Sequence, residues 1–323
     1  MKKTMNLLKT LLVTLMCLML ILPGVASAEQ YKVGIIQMAD NGAFEDMREG
    51  YIDQMRALGY SEDVMTFDYR NAQGDMATLM QICQKMVDDE VDFVVTIATP
   101  PTQAFMNMDS DIPMFFISVS NPVGAGVISD MEHPDMNATG TSNAIPVSEM
   151  FALADQLTPG IKTYGLLYCL SEINSVTTAN QAKEYLDAHN LAYVEAVVTS
   201  TAEVMQAVDA IIDRVDAIFV PNDSVVQTAM PVVAEAAADA GIPVYGSSAV
   251  MVASGAFATI SISDRDIGAI TADMCHKFLQ GTPIEEIPAI VVDQFTTVIN
   301  TTTAAQIGVT ISEDVAAAAQ LLK

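Results

Sequence analysis

The sequence predicts an α/β protein built from two doubly wound lobes that are joined by a hinge. Strand and helix patterns alternate from residue 29 onward, which is typical of open parallel sheets. The pattern then starts again, because the segments at Val33, Asp92 and Asp111 have similar counterparts 124 to 131 residues later. The chain also continues past two complete units. We therefore expect two Rossmann-like lobes and a chain that crosses the hinge more than once.

The first lobe is predicted to open with a strand over residues 31–37. Apolar residues then recur at helical spacing over 44–58. Largely apolar segments at 91–98 and 113–119 indicate parallel strands that are covered on both faces.

The second lobe is predicted to begin with a strand over residues 164–168 and a helix over about 175–189. After Ile262 the sequence predicts one more helix, strands at 289–292 and 296–300, and a short helical tail. We assign residues 29–145 and about 262–286 to the N-terminal lobe, and residues 146–261 and about 287–323 to the C-terminal lobe.

The composition excludes some classes of function. The chain has 323 residues, of which 51% are hydrophobic, so it can form large cores. Its 14 basic and 40 acidic residues give a formal net charge of −26. A chain this acidic repels phosphate backbones, and we expect no nucleic-acid partner.

Residues 1–28 have the pattern of a signal peptide. Lys2, Lys3 and Lys9 precede an apolar segment over 11–22, and Ala26-Ser27-Ala28 is a typical cleavage site. We therefore expect a periplasmic or secreted protein after cleavage near Ala28.

Three cysteines follow the predicted signal peptide: Cys83, Cys169 and Cys275. An odd number is not a complete disulfide framework, and buried thiols are the main expectation. A single disulfide between Cys83 and Cys275 is the alternative.

The candidate ligand site lies in the loops that follow the strands, because ligands of open parallel sheets bind at their carboxyl ends. Residues 93–108 and 112–129 carry no charge despite the acidity of the chain. Hydroxyl groups and helix N-termini in these loops can hold a carboxylate, and Glu172 and Asp223 can hold an ammonium group. A small polar or zwitterionic solute is expected. The candidate ligand-binding residues are Gln37, Asn41, Ala98, Thr99, Ser120, Asn121, Glu172, Asn174, Ser175, Asn222, Asp223, Ser247 and Ser263.

Six segments in order resemble the ABC-transporter substrate-binding protein family that includes tryptophan- and tyrosine-binding members. They are 71–75 (NAQGD), 97–103 (IATPPTQ), 120–126 (SNPVGAG), 137–142 (NATGTS), 171–175 (SEINS) and 221–224 (PNDS). The corresponding family patterns are N-A-Q-G-D, I-A-T-P-x-A-Q, T-D-P-V-x-A-G, N-V-T-G-x-S, S-E-x-N-S and P-T-D-N.

The resemblance implies a type I periplasmic binding protein fold that closes on a solute and delivers it to an ABC permease in the membrane. It implies aromatic amino acids as plausible solutes, and a cleft lined by Thr99, Ser120, Glu172, Asn174 and Asp223. The chain departs from the family at Ser263, where members often carry Asp. A cleft with less negative charge is therefore expected.

Phe44, Phe105, Tyr168 and Tyr245 are the aromatic residues available for a wall of the cleft. The chain has three histidines, far apart, and no metal-binding motif, so no metal and no cofactor are expected.

We expect a monomer that is not an enzyme. Two alternatives stay open. One is an extracytoplasmic ligand-sensing domain that feeds a receptor. The more remote one is an exported hydrolase with Asp223 or Glu172 as general base.

Overall fold

The fold consists of two sheets with helices packed on both faces. The computed structural model describes residues 30–144 and 146–323. The predicted signal peptide and its cleavage site lie outside the described residues.

The strands have the following bounds: β1 Tyr31–Gln37, β2 Met65–Asn71, β3 Phe93–Ile97, β4 Met114–Ile117, β5 Ala138–Ser142, β6 Thr163–Cys169, β7 Ala192–Val198, β8 Ala217–Phe219, β9 Val244–Tyr245, β10 Ala258–Ser261, β11 Ile290–Val291, β12 Thr296–Asn300 and β13 Gln320–Leu322. The first sheet has the order β11-β5-β4-β3-β1-β2, and the second has the order β13-β12-β10-β9-β8-β6-β7. Only β10 and β12 pair antiparallel among the described strands. The two doubly wound lobes confirm the predicted fold class.

The α-helices have the following bounds: α1 Gly42–Ala57, α2 Met76–Asp88, α3 Thr99–Met106, α4 Val147–Leu157, α5 Ile173–Ala188, α6 Val204–Asp209, α7 Ser224–Thr228, α8 Met230–Asp239, α9 Ala249–Ala253, α10 Asp264–Leu279, α11 Thr301–Gln306 and α12 Glu313–Ala318. Short 3-10 helices cover Thr201–Glu203, Ile212–Arg214 and Ile284–Glu286.

Within the described part of the chain, three connections join the two sheets. They run from β5 to α4, from β10 to α10 and from β11 to β12. The strand β11 pairs with β5 in the first sheet, although the sequence analysis placed residues after 286 in the C-terminal lobe. A two-residue strand is too short for its hydrophobic pattern to show which sheet it joins. The helical tail expected after β12 is present as α11 and α12. The final strand β13, which follows it, was not predicted, because its pairing with β12 is set by the tertiary fold.

Both faces of the first sheet are buried, as β3 illustrates. Phe93, Val95 and Ile97 belong to the core beneath α1 and α10. Val94 points to the opposite core, which contains Leu79 of α2. Because side chains alternate between the two faces and both faces are buried, nearly every residue of this strand is apolar.

Helices α1 and α10 pack against each other through two glycines. A Cβ atom on Gly50 would lie 2.1 Å from the carbonyl oxygen of Arg265, and one on Gly268 would lie 2.1 Å from that of Met47. No side chain fits at either position without moving a backbone. This contact fixes the position of the N-terminal ends of both helices.

The three described cysteines are buried and unpaired. Cys83 and Cys275 belong to cores on opposite faces of the first sheet. The Cys275 thiol accepts a hydrogen bond from the Tyr51 hydroxyl at 3.2 Å. The structure therefore contains buried thiols and no Cys83–Cys275 disulfide.

Replacing Gly50 by Ala is expected to destabilise the protein by about 1–3 kcal/mol, because the added methyl group overpacks the α1–α10 contact. Gly42→Ala is the control on the same helix, since its Cβ would meet only Val250, at 3.7 Å. Denaturant unfolding monitored by circular dichroism measures both variants. Equal stability of the two variants would contradict the close-contact assignment.

Candidate functional site

A cleft lies between the carboxyl ends of the two sheets. It encloses about 630 Å³ of space between protein atoms, part of it open to solvent. In the first sheet the strand order reverses around β1 and β3, and in the second around β6 and β8. Such switch points are where open α/β sheets bind ligands.

Eight of the thirteen candidate residues line this cleft. They are Ala98, Thr99, Ser120, Glu172, Asn174, Asn222, Asp223 and Ser247. All of them follow strands or begin helices, which is why the carboxyl-end rule reached them from sequence.

The other five candidate residues lie outside the lining and bond mainly to the protein. The Gln37 amide donates to the carbonyl of Ala39 at 2.7 Å. Asn41 caps α1 by accepting from the N–H of Phe44 at 2.9 Å.

Asn121 accepts from the N–H of Gly124 at 2.8 Å and lines a neighbouring cavity. Ser175 is fully buried and donates to Asp223. Ser263 is exposed and caps α10 by accepting from the N–H of Asp266 at 3.2 Å. For Asn41 and Ser263, the preference of Asn and Ser for helix caps accounts for their presence in these loops.

Thirteen further residues line the cleft, of which only Phe44 was named from the sequence, as an aromatic residue available for a wall. They are Ala43, Phe44, Met47, Pro100, Ser118, Asn143, Ser224, Gln227, Ser248, Ser261, Ile262, Asp264 and Ile267. The helical spacing of Phe44 with Met47, and of Asp264 with Ile267, is the signal that could have found the wall formed by α1 and α10. Their orientation depends on the α1–α10 packing, which sequence spacing does not reveal.

The wall from the second lobe contains two buried carboxyl groups, Glu172 and Asp223. Asp223 caps α7 by accepting from the N–H of Val226 at 2.8 Å, and it accepts from the N–H of Cys169 at 2.5 Å. It also accepts from the Ser175 hydroxyl. Glu172 accepts from the N–H of Ser224 at 3.1 Å and from the hydroxyl of the same residue. These bonds hold both carboxyl groups in fixed positions.

Burial raises the pKa of Glu172, and the neighbouring Asp223 carboxylate raises it further. Burial also raises the pKa of Asp223, against the lowering effect of the hydrogen bonds from Ser175 and Val226. Each carboxyl group is therefore strained electrostatically when both are ionised, and a nearby cation would relieve that strain.

Asn174 adds an acceptor to the same wall. Its Nδ2 donates to the carbonyl of Asn222 at 2.7 Å. Its Oδ1 is buried and has no hydrogen-bond partner among the described residues. A buried acceptor without a donor costs about 1–3 kcal/mol, so this wall favours a ligand group that donates hydrogen bonds.

A third carboxyl group, Asp264, reaches the cleft from the first residue of α10. Burial raises its pKa to about 7, and repulsion from Asp46 adds to the rise. The expectation of a less acidic cleft, based on Ser263, therefore does not describe the lining: the acid is carried by the next residue.

The cleft has three carboxyl groups and no compensating basic side chain. No Lys, Arg or His belongs to the lining formed by the described residues. Enclosed carboxylates attract positive charge strongly, because few water molecules screen them.

The wall from the first lobe contains two residues with positive φ. Ala98, which precedes α3, has φ 72° and ψ 172°, and Ser118, after β4, has φ 65°. Such conformations cost about 1–3 kcal/mol each and occur frequently at ligand sites. No hydrogen bond involves the hydroxyl of Thr99 or Ser118 within the described chain, so both hydroxyls are free to donate to a ligand.

The apolar wall is formed by side chains of α1 and α10 with the connection that precedes α10. Phe44, Met47, Ile262 and Ile267 lie there. The other three candidate aromatic residues, Phe105, Tyr168 and Tyr245, are buried in the cores of the lobes. Phe44 is thus the aromatic side chain in the described lining.

A polar cleft between two doubly wound lobes is the arrangement of a two-lobed solute-binding protein. A family model described as "ABC transporter substrate binding protein" matches residues 32–323. The chain belongs to this family, which confirms the resemblance seen in the six sequence segments. It is the solute-binding component of an ABC transporter. The family is non-catalytic, acts outside the cytoplasm, and works with membrane permeases.

Among similar proteins is the "Tyrosine-binding protein" of Clostridioides difficile strain R20291. It is 31% identical over 275 residues, which cover 85% of this chain and 80% of the relative. A conserved domain protein from Vibrio cholerae has 33% identity and a TM-score of 0.88, covering 91% of this chain and all of that one.

Two further solved structures differ in their ligand state. A Streptococcus pneumoniae domain in complex with L-Trp has 31% identity and a TM-score of 0.88, with 91% and 100% of the two chains covered. A ligand-free, open substrate-binding protein with adhesive properties from Clostridium difficile has 30% identity and a TM-score of 0.71, with 91% and 99% covered. At similar identity and coverage, this structure resembles the ligand complex more than the open form.

In the described ranges, no helix has the length and apolarity needed to cross a membrane. The same residues contain no group of three or more His, Cys, Asp or Glu side chains placed to hold a metal ion.

The ligand-free protein is expected to lose stability as the pH rises from about 4 to about 7. Asp264 has a pKa of about 7 in the folded state, whereas an unfolded Asp titrates near about 3.9. Between these values the folded state holds a proton that the unfolded chain has released, so stability falls with rising pH. The raised pKa of Glu172 acts in the same direction.

Melting temperatures of the ligand-stripped protein across this pH range measure the effect. Asp264→Asn is expected to flatten the slope, while Asp266→Asn, an exposed residue of the same helical turn, keeps it. An unchanged slope in Asp264→Asn would refute the assignment.

Proposed function

We propose that this protein captures an α-amino acid with an aromatic side chain, in the interlobe cleft, for delivery to the permease. The observation that carries the proposal is the enclosed set of carboxyl groups with no basic side chain in the described lining. A ligand that brings an ammonium group supplies the missing positive charge.

The ammonium group is assigned to the wall of the second lobe. Glu172 keeps lone pairs beyond those that accept from Ser224, and the Oδ1 of Asn174 has no partner within the described chain. Asp223 already accepts three hydrogen bonds, so it contributes charge more than a direct contact.

The ligand carboxylate is assigned to the wall of the first lobe. Thr99 and Ser118 provide hydroxyl donors beside the start of α3. Pro100 and Pro101 have no N–H groups, so the start of α3 offers few backbone donors and the two hydroxyls must supply the hydrogen bonds. The positive end of the helix dipole contributes about 0.3–1 kcal/mol to holding an anion.

The side chain of the ligand is assigned to the apolar wall of Phe44, Met47, Ile262 and Ile267. Burial of an aromatic ring there contributes about 1.5–3 kcal/mol. The tyrosine-binding relative and the L-Trp complex support an aromatic ligand.

We further propose an exported monomer, processed near Ala28, that performs no catalysis. The family to which the chain belongs is non-catalytic, which supports this part of the proposal.

Isothermal titration calorimetry on protein that has been unfolded and refolded to remove carried ligand tests the proposal. L-Tyrosine and L-tryptophan are compared with 3-(4-hydroxyphenyl)propionate and indole-3-propionate, which lack the amino group. The amino acids are expected to bind, and the analogues to bind at least about 100-fold more weakly. Equal affinity for an amino acid and its analogue would contradict the ammonium assignment.

Glu172→Gln is expected to weaken amino acid binding by about 10- to 100-fold, because it removes a charged acceptor of the ammonium group. Glu195→Gln is the matched control, since Glu195 bonds to Tyr168 and Lys183 outside the cleft. If both variants bind like the wild type, Glu172 does not hold the ligand.

Closure of the cleft is expected to depend on Val250 of α9. This second-lobe side chain packs against the core of the first lobe, near Gly42. Val250→Asp places a charge in that contact, disfavours the closed state, and is expected to weaken ligand binding by about tenfold.

Ala253→Asp adds the same charge to the exposed side of α9 and serves as the control. Small-angle scattering with and without ligand reports closure. A Val250→Asp variant that closes and binds like the control would rule out this contact as part of the closed state.

A further inference from the structure

Asp264 lies at the apolar end of the cleft, apart from the acids of the second lobe. It is the first residue of α10, and Ile262 and Ile267 beside it are apolar lining residues. The α1–α10 contact brings Met47 and Phe44 to the same wall.

The Asp264 carboxyl group has no hydrogen-bond donor from the described protein. The adjacent Arg265 forms surface ion pairs with Glu49 and Asp53 instead. The cap of α10 comes from Ser263, whose hydroxyl accepts from Asp266. The nearby charged group on α1 is Asp46, which repels Asp264.

Asp264 is half-buried, and a ligand that fills the apolar end of the cleft would cover its carboxyl group. A covered carboxyl group without a donor favours a ligand that supplies one. The ammonium and carboxylate groups of an amino acid are already assigned to the two polar walls. The donor that reaches Asp264 must therefore be carried on the side chain that occupies the apolar end.

We propose that Asp264 is a specificity-determining residue that accepts a hydrogen bond from a donor on the ligand's ring, the phenol O–H of tyrosine or the indole N–H of tryptophan. This inference rests on the proposed function, since it needs an aromatic amino acid in the cleft. It implies rejection of phenylalanine, which fills the same space and leaves Asp264 without a donor.

Phenylalanine is rejected because of the carboxyl group of Asp264, which it leaves without a hydrogen-bond donor. A site built around a hydrogen-bonding group discriminates strongly against an analogue that lacks the partner, because the group that the ligand covers loses water and gains no hydrogen bond. We therefore expect the wild-type protein to bind tyrosine or tryptophan at least about tenfold more tightly than phenylalanine.

Calorimetric titration of the refolded full protein with L-tyrosine, L-tryptophan and L-phenylalanine tests the inference, on the wild type and on Asp264→Leu and Asp264→Asn. Asp264→Leu is expected to lose at least about tenfold in affinity for the preferred amino acid and to gain affinity for phenylalanine. Asp264→Asn retains an acceptor oxygen and is expected to keep part of the preference. Asp266→Leu, exposed in the same turn, is expected to keep the wild-type order.

Wild-type protein that binds phenylalanine as tightly as both other amino acids would overturn the inference, and this result needs no variant to fold. So would an Asp264 variant that weakens all three equally, because Asp264 would then hold the common ammonium group. In either case the proposed function stands. If none of the three amino acids binds while the protein is folded, the proposed function and this inference both fail.

Discussion

The close contact between α1 and α10 determines the geometry of the cleft. At Gly50 and Gly268 the two helices approach so closely that an added Cβ would lie 2.1 Å from a carbonyl oxygen of the other helix. The N-terminal ends of both helices are thereby fixed at the mouth of the first sheet. The apolar wall and Asp264 both depend on that placement. A protein that changes lobe separation while keeping each wall intact needs such rigid packing within a lobe.

The second constraint is electrostatic. Three carboxyl groups face one enclosed space, and hydrogen bonds from Ser224, Ser175 and backbone N–H groups keep Glu172 and Asp223 in place. Without ligand, burial and mutual repulsion disfavour ionisation. A cationic group that enters the cleft reverses this balance. Binding energy is then largest when both lobes surround the ligand, which is the condition for a ligand to stabilise the closed state.

The sequence was sufficient for the fold and for part of the site. Alternating patterns and the repeat predicted two doubly wound lobes, and the carboxyl-end rule reached Thr99, Glu172 and Asp223 because strand ends are visible as pattern boundaries. It did not reach Asp264, since the orientation of the first turn of a helix follows from tertiary packing. Ser263 looked equally suitable but is exposed as a cap. The sequence also placed the two-residue strand β11 in the C-terminal lobe, although it pairs with β5 of the first sheet. This pairing could not be predicted because β5 is distant in sequence.

A crystal structure of the refolded protein grown with L-tyrosine and, separately, with L-tryptophan tests the central claim most directly. The account predicts density for the amino acid between the lobes, with its ammonium nitrogen within about 3 Å of the Glu172 carboxylate and its ring against Phe44 and Met47. A ligand bound with its carboxylate toward Glu172, or one bound outside the interlobe cleft, would contradict the account.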